Sequence, residues 1–166
     1  WLGIGVPGTV MGLDAALKKY GTKPLHKVIA PAIRLARDGF VLQQGDVKIM
    51  NSRVKGFAKY PNVAAIFLNH GKPYVAGDRL RQPQLAHTLE MIDKGGAQAF
   101  YHGDIARKVV AASHANGGLF TMQDFADYTV QWEKPISCDY QGYTIVSAPP
   151  PSSGGITICQ ILQILK

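Results

Sequence analysis

Apolar residues recur with helical spacing through most of the first 128 residues of the chain. A first helix is predicted after the turn Pro7-Gly8-Thr9, with Thr9 as its N-cap and Gly21 as its stop. The apolar positions of this helix are Val10, Leu13, Leu17 and Tyr20.

A second helix is predicted between Pro24, a suitable first helical residue, and the stop at Gly39. Pro31 lies inside its apolar pattern and lacks a backbone donor, so the sequence predicts either a kink or two short helices. The apolar stripe is Leu25, Val28, Ile29, Ile33, Leu35 and Ala36.

Further helices follow from the same spacing. A third is predicted up to Pro61, a short helical turn over residues 62–68, and a loop between Gly71 and Gly77. Pro83 opens a stronger helix, which Gly95-Gly96 is predicted to close. The apolar positions of the third helix are Val47, Met50, Val54 and Phe57, and those of the stronger one are Leu85, Leu89 and Ile92.

The last helices of this region have candidate caps. Asp104 is predicted to cap a helix carrying Ile105, Val109 and Ala112, which ends at Gly117-Gly118. Thr121 and Asp124 form a capping-box pattern with Asp in place of Glu, and a short helix through Tyr128 should follow.

After Tyr128 the apolar period changes from helical to alternating. Val130 and Trp132 alternate with polar neighbours and indicate a strand that Pro135 interrupts. Residues 136–140 and 143–148 then flank Gln141-Gly142, which is typical of a β-hairpin.

The stretch Pro149-Pro150-Pro151-Ser152-Ser153-Gly154-Gly155 separates the hairpin from a last helix. Three prolines predict a stiff polyproline strut, the serines are candidate helix caps, and the glycines permit a turn. Such an exposed turn on a stiff arm suits a wall near a ligand, and it equally suits a plain strand-to-helix connection. The apolar positions of the last helix are Ile158, Ile161, Leu162 and Leu165.

These elements predict an α-rich α+β fold with a small, late hairpin region. We interpret residues 1–166 as one fragment, helical over 1–128, with strands over 129–148 and a strut and helix over 149–166. Trp1 is not an initiator, and the last apolar pattern still recurs at Lys166, so we expect a piece of a longer chain.

The composition narrows the function classes. The chain has 166 residues, is 46% hydrophobic and only 17% charged, and carries a net charge of +7. The low charge is typical of a surface partly covered by more protein. The basic residues are dispersed and not interleaved with aromatic ones, so we expect no nucleic-acid partner. No apolar run approaches 18 residues, so no membrane span is predicted.

Local motifs indicate no complete active site. Cys138 and Cys159 form neither a disulfide framework nor a metal motif, and we interpret them as buried free thiols. Ser152 and Ser153 lie outside any G-x-S-x-G pattern and lack an identifiable base. The histidines follow no metal-binding spacing, and no phosphate-binding glycine motif occurs, so neither metal nor nucleotide cofactor is predicted. The histidines are His26, His70, His87, His102 and His114.

Five motifs nevertheless occur in an order that resembles a known family. They are Gly5-Val6-Pro7-Gly8-Thr9-Val10-Met11-Gly12, Ala36-Arg37-Asp38-Gly39-Phe40, Asn116-Gly117-Gly118 with Thr121 and Asp124, Asp139-Tyr140 with Gly142-Tyr143, and the stretch from Pro149 to Gly155. Together they resemble γ-glutamyltranspeptidase, also called glutathione hydrolase.

The resemblance implies an N-terminal-nucleophile (Ntn) hydrolase with an αββα fold, made as a proenzyme that cleaves itself into a large and a small subunit. The new N-terminal threonine of the small subunit attacks γ-glutamyl amides such as glutathione, and its own α-amine acts as base. The γ-glutamyl group then passes to water or to an amino acid.

Neither that threonine nor the substrate-binding arginine of the large subunit lies within the matching motifs. The resemblance therefore places no catalytic residue in residues 1–166, and which of them bind substrate stays open. It implies that the chain is the central part of the large subunit, inert alone. Its partners would be the rest of that subunit and the small subunit, in a periplasmic, secreted or extracellular protein.

Two other hypotheses remain open. One is a related acylase or poly-γ-glutamate-cleaving enzyme on the same scaffold, which residues outside this chain would distinguish. The other is a non-catalytic helical interaction domain, for which the low charge and the proline-rich turn would supply a docking surface.

Overall fold

The computed structural model describes residues 2–165, so Trp1 and Lys166, on which the expectation about the chain ends depended, lie outside the described residues. The chain divides into two compact units. A helical unit extends to Tyr128, and a hairpin unit begins at Thr129.

The helical unit contains eight of the described helices and one small sheet. Strands β1 and β2 pair antiparallel, with Phe40 opposite Leu80 and Val41 opposite Arg79. This sheet was not predicted, because two-residue strands have no detectable alternation. The elements are α1 Thr9–Tyr20, α2 Leu25–Asp38, β1 Phe40–Val41, α3 Gln44–Asn51, α4 Val54–Phe57, α5 Pro61–Phe67, β2 Arg79–Leu80, α6 Pro83–Tyr101, α7 Asp104–Ala115 and α8 Met122–Ala126.

Two helix predictions need correction. Helix α2 is one helix despite Pro31, so a division into two short helices is wrong. Its packing along α6, which buries Ile33 and Ala36, offsets the loss of one backbone hydrogen bond. Conversely, the single helix predicted up to Pro61 is divided into α3 and α4 at Ser52, whose hydroxyl donates to Ile49 O at 2.7 Å.

Helix α6 extends past the glycines that were predicted to close it. Gly96 has φ 60° and ψ −156°, which interrupts the helical geometry, and the helix then resumes as far as Tyr101. Gly95-Gly96 therefore predicted a break in the helix correctly, but the prediction that the helix ends there is wrong. The resumed segment places the ring of Tyr101, with 0% of its surface exposed, inside the core.

Several predicted caps are displaced by one residue. Gly8 rather than Thr9 is the N-cap of α1, Pro24 precedes α2, and Gly103 rather than Asp104 is the N-cap of α7. The capping box of α8 is confirmed, since Asp124 N–H donates to Thr121 Oγ1 at 3.2 Å and Thr121 N–H donates to Asp124 Oδ2 at 2.7 Å. A reciprocal pair of hydrogen bonds fixes a boundary more precisely than a lone polar residue does.

Two groups of buried side chains form the core of the helical unit. The larger one is aromatic and joins α6, α7 and α8, and the smaller one includes Val47 of α3 and Leu80 of β2. The larger group is Ala97, Tyr101, Ala106, Phe120 and Phe125, and the smaller is Leu42, Val47, Tyr74 and Leu80.

The hairpin unit consists of β3 Ile136–Tyr140, β4 Tyr143–Ser147 and α9 Gly154–Ile164. The hairpin is confirmed, and Gln141 and Gly142 both have positive φ, at 47° and 83°, as a tight two-residue turn requires. The strand expected at Val130 and Trp132 is absent, because residues 129–135 are irregular in the structure.

Cys138 and Cys159 are not free thiols as predicted but form a disulfide that joins β3 to α9. The interpretation failed because residues 21 apart in sequence have Cα atoms only 5.9 Å apart once α9 folds back on the hairpin. Spacing alone does not carry that information.

Candidate functional site

The stretch from Ser147 to Gly155 forms a tight connection between β4 and α9. The predicted polyproline strut is wrong, because Ser152 N–H donates to Pro149 O at 3.1 Å and the prolines lie in a turn. A polyproline helix has no such internal hydrogen bond. The Pro150–Pro151 peptide is cis.

Gly155 explains why this connection is so close. A Cβ at Gly155 would lie 2.8 Å from Ala148 O and 3.0 Å from Ser147 Oγ, so only glycine fits between the first turn of α9 and the end of β4. One turn further along, the Cys138–Cys159 disulfide attaches α9 to β3. The close approach at Gly155 and the disulfide therefore both fix the position of α9 after the turn.

Ser152 and Ser153 are exposed on this turn. Ser153 occupies the N-cap position, but its side chain makes no capping hydrogen bond, so the capping role predicted for it is not formed. Within residues 2–165, neither hydroxyl is hydrogen-bonded to a histidine, lysine or carboxylate. A serine needs such a neighbour to act as a nucleophile, so the turn has no activated nucleophile of its own.

The histidines do not converge either. They lie on three helices, on one loop and at one helix end. No group of three His, Cys, Asp or Glu side chains among the described residues could hold a metal ion. Their positions are His26 on α2, His70 after α5, His87 on α6, His102 at the end of α6 and His114 on α7.

The motif from Gly5 to Gly12 surrounds a buried tyrosine. The Tyr101 hydroxyl donates to Pro7 O at 2.6 Å and accepts from Met11 N–H at 3.2 Å. Its ring stacks on Tyr128 with centroids 5.4 Å apart, and burial raises the pKa of its phenol. A Cβ at Gly8 would lie 2.1 Å from Tyr128 Oη, so a larger residue there would have to displace the Tyr128 side chain.

The Ala36-Arg37-Asp38-Gly39-Phe40 motif joins α2 to α6 and to β2. Arg37 forms an ion pair with Glu90 on α6, and the hydrogen bond between them lowers the pKa of Glu90 and raises that of Arg37. Arg81 Nε donates to Asp38 O at 3.1 Å. Gly39 has φ +76° and a Cβ there would lie 2.5 Å from Leu80 O, so the motif fixes a sharp exit from the helix.

An apolar groove lies between α1 and α2 over α6, with a volume of about 470 Å³. Its lining is aliphatic apart from Asp14, Tyr20 and Gly21. None of the described helices is both long and apolar enough to cross a bilayer.

The family model described as gamma-glutamyltranspeptidase matches residues 1–166. The chain belongs to the gamma-glutamyltranspeptidase family. Within the described residues, the five motifs act by fixing turns, helix ends and core contacts.

Three similar proteins illustrate the family. The chain is 49% identical to a glutathione hydrolase proenzyme of Pseudomonas sp. strain A14, over 100% of this chain and 29% of that protein. It is 39% identical to the acylase ACY 1 proenzyme of Pseudomonas sp. strain SE83, over 98% of this chain and 29% of that protein. The crystal structure of Helicobacter pylori gamma-glutamyltranspeptidase matches with a TM-score of 0.94 and 42% identity, over 99% of this chain and 48% of that one.

The chain thus spans about 29% of the length of the curated relatives it matches. The motifs could be recognised in the sequence, but the contacts that their residues make could not. The bond between Tyr101 and Pro7 joins residues 94 apart, and no local spacing signals such a contact.

Proposed function

We propose that residues 1–166 form the central part of the large subunit of a γ-glutamyltransferase/glutathione hydrolase. They would be one portion of an αββα Ntn-hydrolase fold, to which a helix-rich chain with two small antiparallel sheets is suited. The observation that carries the proposal is the match of the family over the whole chain.

The proposed reaction cleaves a γ-glutamyl amide. The hydroxyl of a threonine outside this chain attacks the amide carbon, and the leaving amine takes a proton that the threonine α-amine relays. Water or an amino acid then displaces the threonine from the ester. Residues 1–166 supply no catalytic group in this proposal.

The partners of this chain would be the rest of the large subunit and the small subunit made from the same precursor. We place the protein outside the cytoplasm, in the periplasm or secreted. The Cys138–Cys159 disulfide supports this compartment, because structural disulfides persist mainly in oxidising environments.

Expression of the full-length gene tests the proposal. We expect cleavage of the precursor into two subunits and hydrolysis of a chromogenic γ-glutamyl anilide, with faster release when an amino-acid acceptor is added. Alanine in place of the threonine at the new N-terminus should abolish both. A precursor that neither cleaves itself nor releases the anilide contradicts the proposal, and would favour a non-catalytic interaction domain.

The serines of the turn provide a second test in the same assay. Ser152→Ala and Ser153→Ala should each leave self-cleavage and turnover within about two-fold, because neither hydroxyl has a base among residues 2–165. A loss of about a thousand-fold with either variant would instead place a reacting group in this chain.

A related acylase is the second candidate, which the similarity to the acylase ACY 1 proenzyme favours. The two differ in the amide that is cleaved, so a γ-glutamyl anilide should be compared with a cephalosporin side-chain amide and with poly-γ-glutamate. Preference for either of the last two would replace the first proposal and keep the threonine chemistry.

A further inference from the structure

The groove between α1 and α2 has two helical walls and a closed floor. Helices α1 and α2 both pack on α6, and the space left between them measures about 470 Å³. Ile92 and Ala97 of α6 are buried at its floor, with 8% and 4% of their surfaces exposed. The walls are formed mainly by Leu13, Leu17, Val28 and Ile29.

The chemistry of this groove selects an apolar occupant. Asp14 is the carboxylate on its lining, and Lys18 Nζ already lies 2.7 Å from Asp14 Oδ2. The remaining wall positions are aliphatic or aromatic, and three of them stay open to solvent. Leu13 is 67% exposed, Tyr20 68% and Val28 44%.

Helix α1 is covered on one side only. Val10 and Met11 pack against the aromatic core, but no residue of the helix is buried, and Leu13 and Tyr20 on its apolar stripe stay mostly exposed. Helices in proteins gain most of their stability from packing such a stripe, so the exposed part of this one can accept a further neighbour.

We infer that this groove receives apolar side chains from the same precursor polypeptide, outside residues 1–166. This rests on the proposed function, in which the chain is one part of a larger subunit. The length of the relatives supports this occupant, because 29% of the Pseudomonas proenzyme and 48% of the Helicobacter pylori chain are matched here. A tethered segment also has a higher effective concentration than a second copy.

Cysteine labelling of the folded full-length protein tests whether the groove is covered. Val28→Cys lies in the groove wall, and Lys27→Cys is its exposed neighbour on the same helix. We expect a maleimide to react at Val28→Cys at least about a hundred-fold more slowly than in denaturant, and at Lys27→Cys within about ten-fold of that rate. Rapid native labelling at Val28→Cys would overturn the inference.

A photo-crosslinker identifies the occupant. Benzoylphenylalanine at Leu13 of the full-length protein should crosslink to a peptide of the same chain from outside residues 1–166. A mixture of isotopically heavy and light proteins distinguishes a second copy, because crosslinks between heavy and light chains would overturn the inference. Crosslinks confined to residues 1–166, or none, would also overturn it.

The γ-glutamyl anilide assay on the same preparations separates this inference from the proposed function. An active enzyme with rapid labelling at Val28→Cys contradicts only the docking. A protein with a covered groove and no turnover contradicts only the proposed activity.

Discussion

Different interactions stabilise the interior of each of the two units. The helical unit encloses an aromatic core, in which Tyr101 and Phe125 have 0% of their surfaces exposed. In the hairpin unit, the buried positions among the described residues are Gly155 and Cys159. Its helix α9 is attached to the hairpin by the Cys138–Cys159 disulfide, and Ile158 and Ile161 remain 46% and 50% exposed.

This difference indicates that apolar burial and a covalent crosslink contribute unequally to the stability of the two units. Burial of apolar surface stabilises the helical unit, and it does so without covalent help. Within residues 129–165 the hairpin and its helix bury few side chains, so burial among these residues contributes less to this unit. A crosslink that restricts the unfolded chain adds to its stability.

The largest expected effect is the loss of an aromatic side chain from the helical core. The ring centroid of Phe125 lies 5.5 Å from that of Phe120 and 6.4 Å from that of Tyr101. Phe125→Ala should lower the free energy of unfolding of this unit by about 3–5 kcal/mol, because it leaves a cavity in a rigid core. Hydrogen exchange of α6 to α8 amides in the full-length protein measures the change.

Leu119→Ala is the matched control for this substitution. Leu119 is 74% exposed, so the change should stay within about 0.5 kcal/mol. Equal effects of the two variants would contradict the description of this unit as stabilised by its core.

Removal of the disulfide should produce the next largest effect, and only in the hairpin unit. The crosslink closes a loop between cysteines 21 residues apart, which corresponds to about 3 kcal/mol in the chain-entropy treatment. The double variant Cys138→Ala/Cys159→Ala should therefore accelerate exchange of the β3, β4 and α9 amides by about a hundred-fold. Unchanged exchange in these elements would show that burial alone holds the unit.

The same contrast explains what the sequence could and could not predict. Helical periodicity and paired caps report local contacts, so most helices of the first 128 residues and the box at Thr121 and Asp124 were predicted, except for the break at Ser52 and the end of α6. The Gln141-Gly142 turn was found for the same reason. The disulfide, the β1–β2 sheet and the bond from Tyr101 to Pro7 join distant parts of the chain, and their residues carry no local signal.

The candidate site was predicted less completely than the fold. The turn after β4 was located, but its conformation depends on the contact of Gly155 with Ala148 and on the hydrogen bond from Ser152 to Pro149. Proline composition favoured an extended strut, whereas the attachment of α9 to the hairpin requires a reversal. The tertiary contacts of α9 therefore determine the conformation of this segment more strongly than the extended preference of its prolines.

A smaller effect is expected from a methyl group added at the contact between β4 and α9. Gly155→Ala would place Cβ 2.8 Å from Ala148 O, a backbone atom that cannot move without shifting the strand. We expect a loss of about 1–3 kcal/mol in the hairpin unit, measured by the same hydrogen exchange.

Gly154→Ala is the control for this contact. Its Cβ would meet Ser152 Oγ at 3.6 Å, which is ordinary contact distance, so the variant should be neutral or slightly stabilising. A neutral result at Gly155 would show that the turn is not tightly packed, and that the disulfide alone determines its position.

The smallest effect is a pH dependence at the cap of α8, in the helical unit. Hydrogen bonds from the Thr121 backbone and hydroxyl to Asp124 lower the pKa of that carboxyl below its usual 3.8. Because the pKa is lower in the folded chain, the ionised carboxylate stabilises the fold above pH 3.8, and this contribution is lost as the pH falls through the lowered value. An NMR titration of Asp124 should therefore show a pKa that Thr121→Ala raises toward 3.8. Phe125 anchors α8 in the aromatic core, so acid should fray only the capped start of α8 at Thr121; loss of the core together with the cap would show that they are one cooperative structure.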